Sequence, residues 1–141
     1  MRKIGYYISN KSKSIKCIKE NSTFSTIEEL YKELNDRGWN SMTVFLKEQW
    51  NPDNKCSGQC NATVLLVQEY FGGDIISYPN PEPDKKGHYF NRIDGTDIDL
   101  TSEQFEVNLN YLDKTKKGSF GRHSFSCEKS AYIIKKNLGL L

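Results

Sequence analysis

The hydrophobic pattern of the chain first becomes regular in an amphipathic helix. Ser25 and Glu28 form a capping-box pattern ahead of it, and Gly38 ends it. The apolar positions between these signals recur at helical spacing: Ile27, Leu30, Tyr31 and Leu34. This pattern predicts a helix with one face packed against a core.

A second helix is predicted from Cys60 to Phe71. The stretch is apolar on most of its faces and stops at Gly72-Gly73, as is typical of a central, buried helix. A third helical run covers about Cys127 to Leu138. The chain therefore offers one helix near each end and one in its middle.

Strand-like segments follow the central helix. The first runs from Asp74 to Tyr78, and two more, His88 to Ile93 and Thr96 to Thr101, flank Asp94-Gly95. An Asp-Gly pair between alternating segments is the strongest short-range signal for a β-hairpin. We therefore expect an antiparallel sheet that contains this hairpin.

Three other segments give less regular signals. Near the N-terminus, Lys3 to Ser9 and Ser14 to Lys19 surround a polar break and predict another hairpin. The segment from Trp39 to Ser57 mixes apolar residues with turn residues, which indicates irregular packing on the core. Thr101 and Gln104 provide a capping box for a short helix.

These elements predict an α+β fold in which the helix that starts at Cys60 packs on an antiparallel sheet. The chain has 141 residues, of which 36% are hydrophobic, 12% aromatic and 27% charged. This is the balance of a globular protein, and the length is that of one ordinary domain. We therefore expect a single domain over residues 1–141.

Composition also limits the partners. The net charge of +2 is too small to imply a nucleic-acid partner. No apolar stretch approaches the roughly 20 residues of a membrane span, and no apolar run follows the N-terminal charges to make a signal peptide. We expect a cytoplasmic protein without a membrane partner, whose four cysteines are free thiols or metal ligands rather than two disulfides.

Cys60 is the leading candidate for chemistry. It lies in the first turn of the central helix, where unpaired N–H groups and the helix dipole favour a negative charge. The thiolate is the nucleophilic form of cysteine, and cysteine nucleophiles commonly stand at helix N-termini for this reason. Alone, the position is also compatible with a buried core thiol.

The predicted hairpin supplies a partner for this thiol. If Asp94-Gly95 is the two-residue turn, His88 and Asp99 share one face and are diagonal neighbours within side-chain reach. A carboxylate at that place would fix the tautomer of a histidine base and stabilise its charged form. Asp97 is the alternative acid, although it lies nearer Arg92, and a one-residue shift would bring Thr101 beside His88 instead.

The chain order of these residues resembles that of papain-like and transglutaminase-like enzymes. A helix-borne cysteine comes first, then a strand-borne histidine, then an acid on the next strand. The resemblance implies a core of that kind and a catalytic triad of Cys60, His88 and Asp99. Backbone N–H groups around Cys60, with the Gln59 amide, are candidates for an oxyanion hole. Trp50 is either a core aromatic or a wall of the cleft.

A larger set of residues occurs in a characteristic order: Trp39, Thr43, Trp50, Gly58-Gln59-Cys60, Thr63, Val67-Gln68, Gly72-Gly73, His88-Tyr89-Phe90-Asn91, Asp99-Leu100-Thr101 and Gln104-Phe105. This order resembles the pattern of the uncharacterised bacterial YunG-like proteins. The resemblance covers roughly residues 39 to 105. It supports the motif assignments and implies no substrate.

The function expected from these residues is that of a cysteine-dependent hydrolase or acyl transferase. Its substrate would be an amide, isopeptide or thioester in a protein or peptide, and no cofactor is expected. The alternative is a non-catalytic or zinc-stabilised protein-binding module on the same fold. Cys56, Cys60, Cys127 and His88 could form a Cys3His zinc site, but a second closely spaced pair is missing, so we expect no metal.

Overall fold

Three α-helices occur in the part of the chain described by a computed structural model, which comprises residues 5–44, 50–55, 59–78, 88–102, 116–118 and 125–141. They are α1 (Ile27–Glu33), α2 (Cys60–Phe71) and α3 (Phe125–Asn137). A π-helical turn, Leu34–Gly38, continues α1. The predicted bounds of the central helix are confirmed, and the outer helices lie where the apolar spacing placed them.

Five strands form one antiparallel sheet within these residues. They are β1 (Tyr7–Ile8), β2 (Asp74–Tyr78), β3 (His88–Ile93), β4 (Thr96–Asp99) and β5 (Lys116–Gly118). Their spatial order is β1-β4-β3-β2-β5. Together with the helices, the sheet confirms the predicted α+β class.

The β3–β4 hairpin has the predicted register. Ile93 pairs with Thr96, and Arg92 pairs with Asp97. Asp94 and Gly95 between them have φ angles of 50° and 75°, and positive φ at both central positions is the requirement of a type I′ turn. The local turn chemistry thus fixes which residues of the two strands face each other.

The main core lies between α2, the sheet and the two outer helices. Leu66 and Val67 of α2 are buried together with Leu30 of α1, Ile98 of β4 and Ile134 of α3. Apolar residues at helical spacing therefore meet the alternating apolar residues of the sheet. This packing fixes the position of α2, and so of its first residue, against the hairpin.

Gly73 allows the chain to pass closely over the sheet after α2. Its φ is +80°, and a Cβ added there would lie 2.4 Å from the carbonyl oxygen of Arg92. No side chain fits at that distance, so the stop signal read from the sequence is also a point of close backbone approach.

The predicted N-terminal hairpin is wrong for the residues that the structure describes. Tyr7 and Ile8 pair with Asp99 and Ile98 of β4 instead. The second segment runs past the start of α1, where the carbonyl of Ile15 accepts a hydrogen bond from the amide of Ile27. The backbone groups of both segments therefore bond to partners far away in the chain, β4 and the start of α1. The local alternation of apolar and polar residues cannot reveal such partners.

Two boundaries also differ from the predicted ones. The capping box of α1 uses Thr26 and Glu29, one residue later than Ser25 and Glu28. Strand β4 ends at Asp99 rather than at Thr101, because the amide of Thr101 turns to bond the Asp99 carboxylate. The predicted capping box at Thr101 and Gln104 extends beyond the described residues.

No helix among the described residues is long and apolar enough to cross a membrane.

Candidate functional site

Cys60 is the first residue of α2 and is 8% exposed. The preceding Gln59 makes no side-chain cap on the helix. The Gln59 side chain therefore does not occupy the first-turn N–H groups, and the sulfur stands in that first turn, where the helix dipole favours a negative charge. The predicted location of the thiol, at the start of a buried helix, is confirmed.

His88 and Asp99 form a buried pair across the hairpin. Nε2 of His88 lies 2.5 Å from Oδ2 of Asp99, and both side chains are almost fully buried. The second carboxylate oxygen, Oδ1, accepts hydrogen bonds from the backbone amide of Thr101 at 3.0 Å and from its hydroxyl at 3.2 Å. Thr101 thus orients the acid, and the acid in turn orients the imidazole.

The electrostatic environment keeps His88 charged. Burial lowers the pKa of His88, but the charge of Asp99 and its hydrogen bond raise it, and Cys60 raises it further, so that the pKa reaches about 10. Asp99 occupies Nε2 of the ring, and Cys60 is the other group that raises this pKa. The three predicted residues therefore form one interacting set in the structure.

The alternative acid, Asp97, belongs to another pair. Its Oδ1 accepts a hydrogen bond from Nε of Arg92 at 2.7 Å, and its backbone amide bonds the Ser9 hydroxyl. The expected contact between His88 and Asp99 is therefore confirmed, whereas the catalytic role of either residue stays a prediction.

Gln59 is turned into the protein rather than toward solvent. Its side chain is fully buried, its Oε1 accepts a hydrogen bond from the Thr43 hydroxyl at 2.7 Å, and its Nε2 donates to the Asn40 carbonyl at 3.1 Å. These bonds tie the segment after α1 to the start of α2. The sequence offered no local signal for this bracing, because the partners lie 16 and 19 residues away.

The two tryptophans differ in their surroundings. Trp39 is a core residue whose indole N–H donates to the hydroxyl of Thr63 at 2.9 Å. Trp50 is partly buried, and its indole nitrogen is buried without a hydrogen bond in the described part of the chain. A role of Trp50 as a wall of the cleft stays a prediction.

Two asparagines make side-chain contacts with α2 residues: Asn91 on β3 and Asn61 on α2 itself. Asn91 of β3 is a buried amide whose side chain donates a hydrogen bond to the carbonyl of Val64 at 3.1 Å. Asn61 was missed by the sequence reasoning, yet its Oδ1 lies 3.1 Å from the Cys60 sulfur. No motif marks this residue, because its contact arises from the rotamers of two neighbours.

The alternative of a zinc site can be compared only with the residues that the structure describes. No group of three or more His, Cys, Asp or Glu side chains there is placed to hold a metal ion. Cys56 and the Cys127 side chain lie outside the description. Cys17 is a partly buried free thiol whose sulfur is 3.9 Å from the Phe24 carbonyl.

Comparisons with known proteins identify the family. The family model described as YunG protein matches residues 26–138. Uncharacterized protein YunG of Bacillus subtilis (strain 168) is 36% identical over 63 residues, which is 45% of this chain and 52% of that protein. The chain therefore spans about half the length of this curated relative.

No solved structure matches the chain, and the expected papain-like or transglutaminase-like core stays a prediction. The family match, in contrast, covers α1, the Cys60 helix, the His88–Asp99 hairpin and α3. The chain belongs to the YunG family.

Proposed function

We propose that this protein is a cysteine-dependent hydrolase or acyl transferase that acts on an amide, isopeptide or thioester of a protein or peptide. The observation that carries the proposal is the buried 2.5 Å contact between His88 and Asp99. A histidine that is held by a carboxylate and interacts with a helix-start thiol is the arrangement that activates a cysteine nucleophile.

The reaction would proceed in two steps. In the first, the Cys60 thiolate attacks the substrate carbonyl carbon and forms a C–S bond. His88 then gives its proton to the leaving nitrogen or sulfur, and the bond from the carbonyl carbon to that atom breaks. In the second, water, an amine or a thiol attacks the thioester, His88 accepts the proton of the attacking group, and the Cys60 sulfur leaves as the thiolate.

The negative oxygen formed at each attack needs donors that are already in place. The N–H groups of the first turn of α2 are suited to that task because no Gln59 cap occupies them. Gln59 supports this oxyanion site by holding the start of α2 on Thr43 and Asn40. We assign Trp50 to the substrate-facing wall, where its buried indole N–H would donate to a peptide carbonyl.

Selective alkylation tests the nucleophile. With limiting iodoacetamide near neutral pH, mass-spectrometric mapping should find Cys60 labelled before Cys17, because Cys60, unlike Cys17, lies at a helix N-terminus and interacts with His88. His88→Gln should slow the labelling of Cys60 and leave that of Cys17 unchanged. Equal labelling of all four thiols, or an unchanged rate in His88→Gln, would contradict the proposal.

A chromogenic thioester or ester tests acyl transfer. The wild-type protein should release the leaving group in a burst and carry the acyl group on Cys60 by intact mass and peptide mapping. Cys60→Ala should show neither signal, and Cys17→Ala should show both. Acylation that persists in Cys60→Ala would assign the chemistry to another residue.

A second candidate, a non-catalytic protein-binding module, is favoured by one observation. Cys60 is 8% exposed and His88 1% exposed, so the free protein presents little of either side chain to a substrate. A zinc-stabilised form of this module would contain stoichiometric metal and would lose its fold with a chelator. Full stability in chelator, together with a Cys60 acyl adduct, would exclude this candidate.

A further inference from the structure

Asn61, the second residue of α2, contacts the atom that the proposed reaction uses. The sulfur of Cys60 lies 3.1 Å from Oδ1 of Asn61, and in this arrangement the thiol donates the hydrogen bond. The Asn61 side chain is half-buried at the start of the helix. The sulfur therefore contacts Asn61 on its own helix and interacts electrostatically with His88 on the hairpin.

A side-chain amide can serve both protonation states of a thiol. Its oxygen accepts a hydrogen bond from S–H, and its NH₂ group donates to a thiolate; a half-turn about χ2 exchanges the two ends. A carboxylate at the same place could only accept and would repel the thiolate. A methyl group could do neither.

The Cys60 thiolate needs such a donor because it is buried. A charged group removed from water is strongly destabilised unless hydrogen bonds replace its hydration, and bonds to a charged acceptor are about twice as strong as neutral ones. Cys60 is 8% exposed, and the Gln59 side chain is directed away, to Thr43 and Asn40. The side-chain amide of Asn61 lies within hydrogen-bond distance of the sulfur.

We propose that Asn61 is a further functional residue of the Cys60 site: its amide accepts a hydrogen bond from the Cys60 thiol and donates one to the thiolate that forms when this thiol loses its proton. This inference rests on the proposed function, because it concerns the same nucleophile. It assigns Asn61 the task of tuning how readily Cys60 ionises, in addition to orienting its sulfur.

The pH profile of Cys60 alkylation by iodoacetamide tests the proposal. In Asn61→Asp, a like charge stands beside the thiolate, and we expect the rate at neutral pH to fall roughly tenfold and the midpoint of the profile to rise by about one pH unit. In Asn61→Ala, loss of the donor should slow alkylation at neutral pH roughly threefold to tenfold. Both variants should approach the wild-type rate at high pH.

Asn10→Asp is the matched control, since it introduces the same charge in an exposed turn and should leave the profile unchanged. Asn61→Asp should fold, because an acidic residue in the first turn of a helix is favourable for the helix dipole. Circular dichroism checks the fold of every variant. The pH dependence in Asn61→Ala distinguishes an effect on Cys60 ionisation from a purely structural role of Asn61, because a structural defect would slow alkylation at every pH.

The two proposals fail in different ways. A midpoint in Asn61→Asp equal to that in Asn10→Asp would overturn the role of Asn61, as would a slowing in Asn61→Ala that is uniform across pH. If His88→Gln still shifts the profile in that case, the proposed nucleophile stands. If the profile is insensitive to His88→Gln and Cys60 is labelled no faster than Cys17, both proposals fall.

Discussion

Replacing Asp99 by Asn removes one negative charge from the site and leaves its shape almost unchanged. The amide oxygen of Asn can still accept the two hydrogen bonds from Thr101. The side chain that faces Nε2 of His88, 2.5 Å away in the wild type, becomes neutral. The variant therefore isolates the electrostatic part of the interaction between the hairpin acid and the imidazole.

The expected effect is large because burial and Asp99 act in opposite directions on His88. Burial lowers the pKa of His88, and Asp99 leads the groups that raise it from 6.5 to about 10. Without the Asp99 charge, we expect the pKa to fall to 6.5 or below. The interval between these values corresponds to on the order of 5 kcal/mol of differential interaction between the two protonation states.

Imidazole ¹⁵N chemical shifts measured against pH test this prediction directly. The chain contains two histidines, so a His123→Gln variant identifies the signals of His88. In the wild type, His88 should remain an imidazolium through neutral pH and lose its proton near pH 10. In Asp99→Asn it should already be neutral at about pH 8, because its pKa then lies below that pH.

Asp97→Asn is the control, because Asp97 lies on the same strand but binds Arg92. It removes the same charge and should leave the titration of His88 near its wild-type position. The reasoning is refuted if wild-type His88 titrates near 6.5, or if Asp99→Asn and Asp97→Asn give the same curve. Slower alkylation of Cys60 in Asp99→Asn would connect the titration to reactivity.

Two stability predictions follow from the elements that position the site. Gln59→Leu should lower the free energy of unfolding by about 1 to 3 kcal/mol in urea denaturation, since it removes the two hydrogen bonds that the buried Gln59 amide makes to Thr43 and Asn40. An unchanged midpoint would contradict the bracing role. Gly73→Ala should lower the free energy of unfolding more than Gly95→Ala does. Both glycines have a positive φ, at which a side chain costs roughly 1 to 2 kcal/mol. At Gly73 the new Cβ would in addition lie 2.4 Å from the carbonyl oxygen of Arg92, whereas at Gly95 it would meet nothing within 4 Å. Equal melting temperatures of the two glycine variants would show that the chain relaxes at no cost.

The sequence by itself determined the elements whose signals are local. Helical spacing and the Gly72-Gly73 stop defined α2 with its first residue at Cys60. The Asp94-Gly95 turn defined the hairpin register. Strand alternation and that register then placed His88 and Asp99 within reach of each other. Each step depends on residues close together in the chain, where backbone geometry leaves few choices.

The tertiary structure decided the features that depend on distant partners. Tyr7 and Ile8 could pair with a neighbouring segment or with the open edge of β4, and only the assembled sheet offers that edge. Gln59 could face solvent or the core, and its direction follows from Thr43 and Asn40 in another part of the chain. Such choices are settled by competition between surfaces that are separated in sequence, so local patterns do not reveal them.

The candidate site combines both kinds of information. The sequence identified the candidate thiol, the candidate imidazole and two candidate acids, Asp99 and Asp97. Packing buries the imidazole and the carboxylate almost fully and the thiol nearly so. It also pairs His88 with Asp99 while Asp97 binds Arg92. Finally, it brings Asn61 into contact with the sulfur. The physical reason is that residue spacing determines which groups can meet, whereas burial and charge pairing, which set their ionisation, arise only when the whole core closes around them.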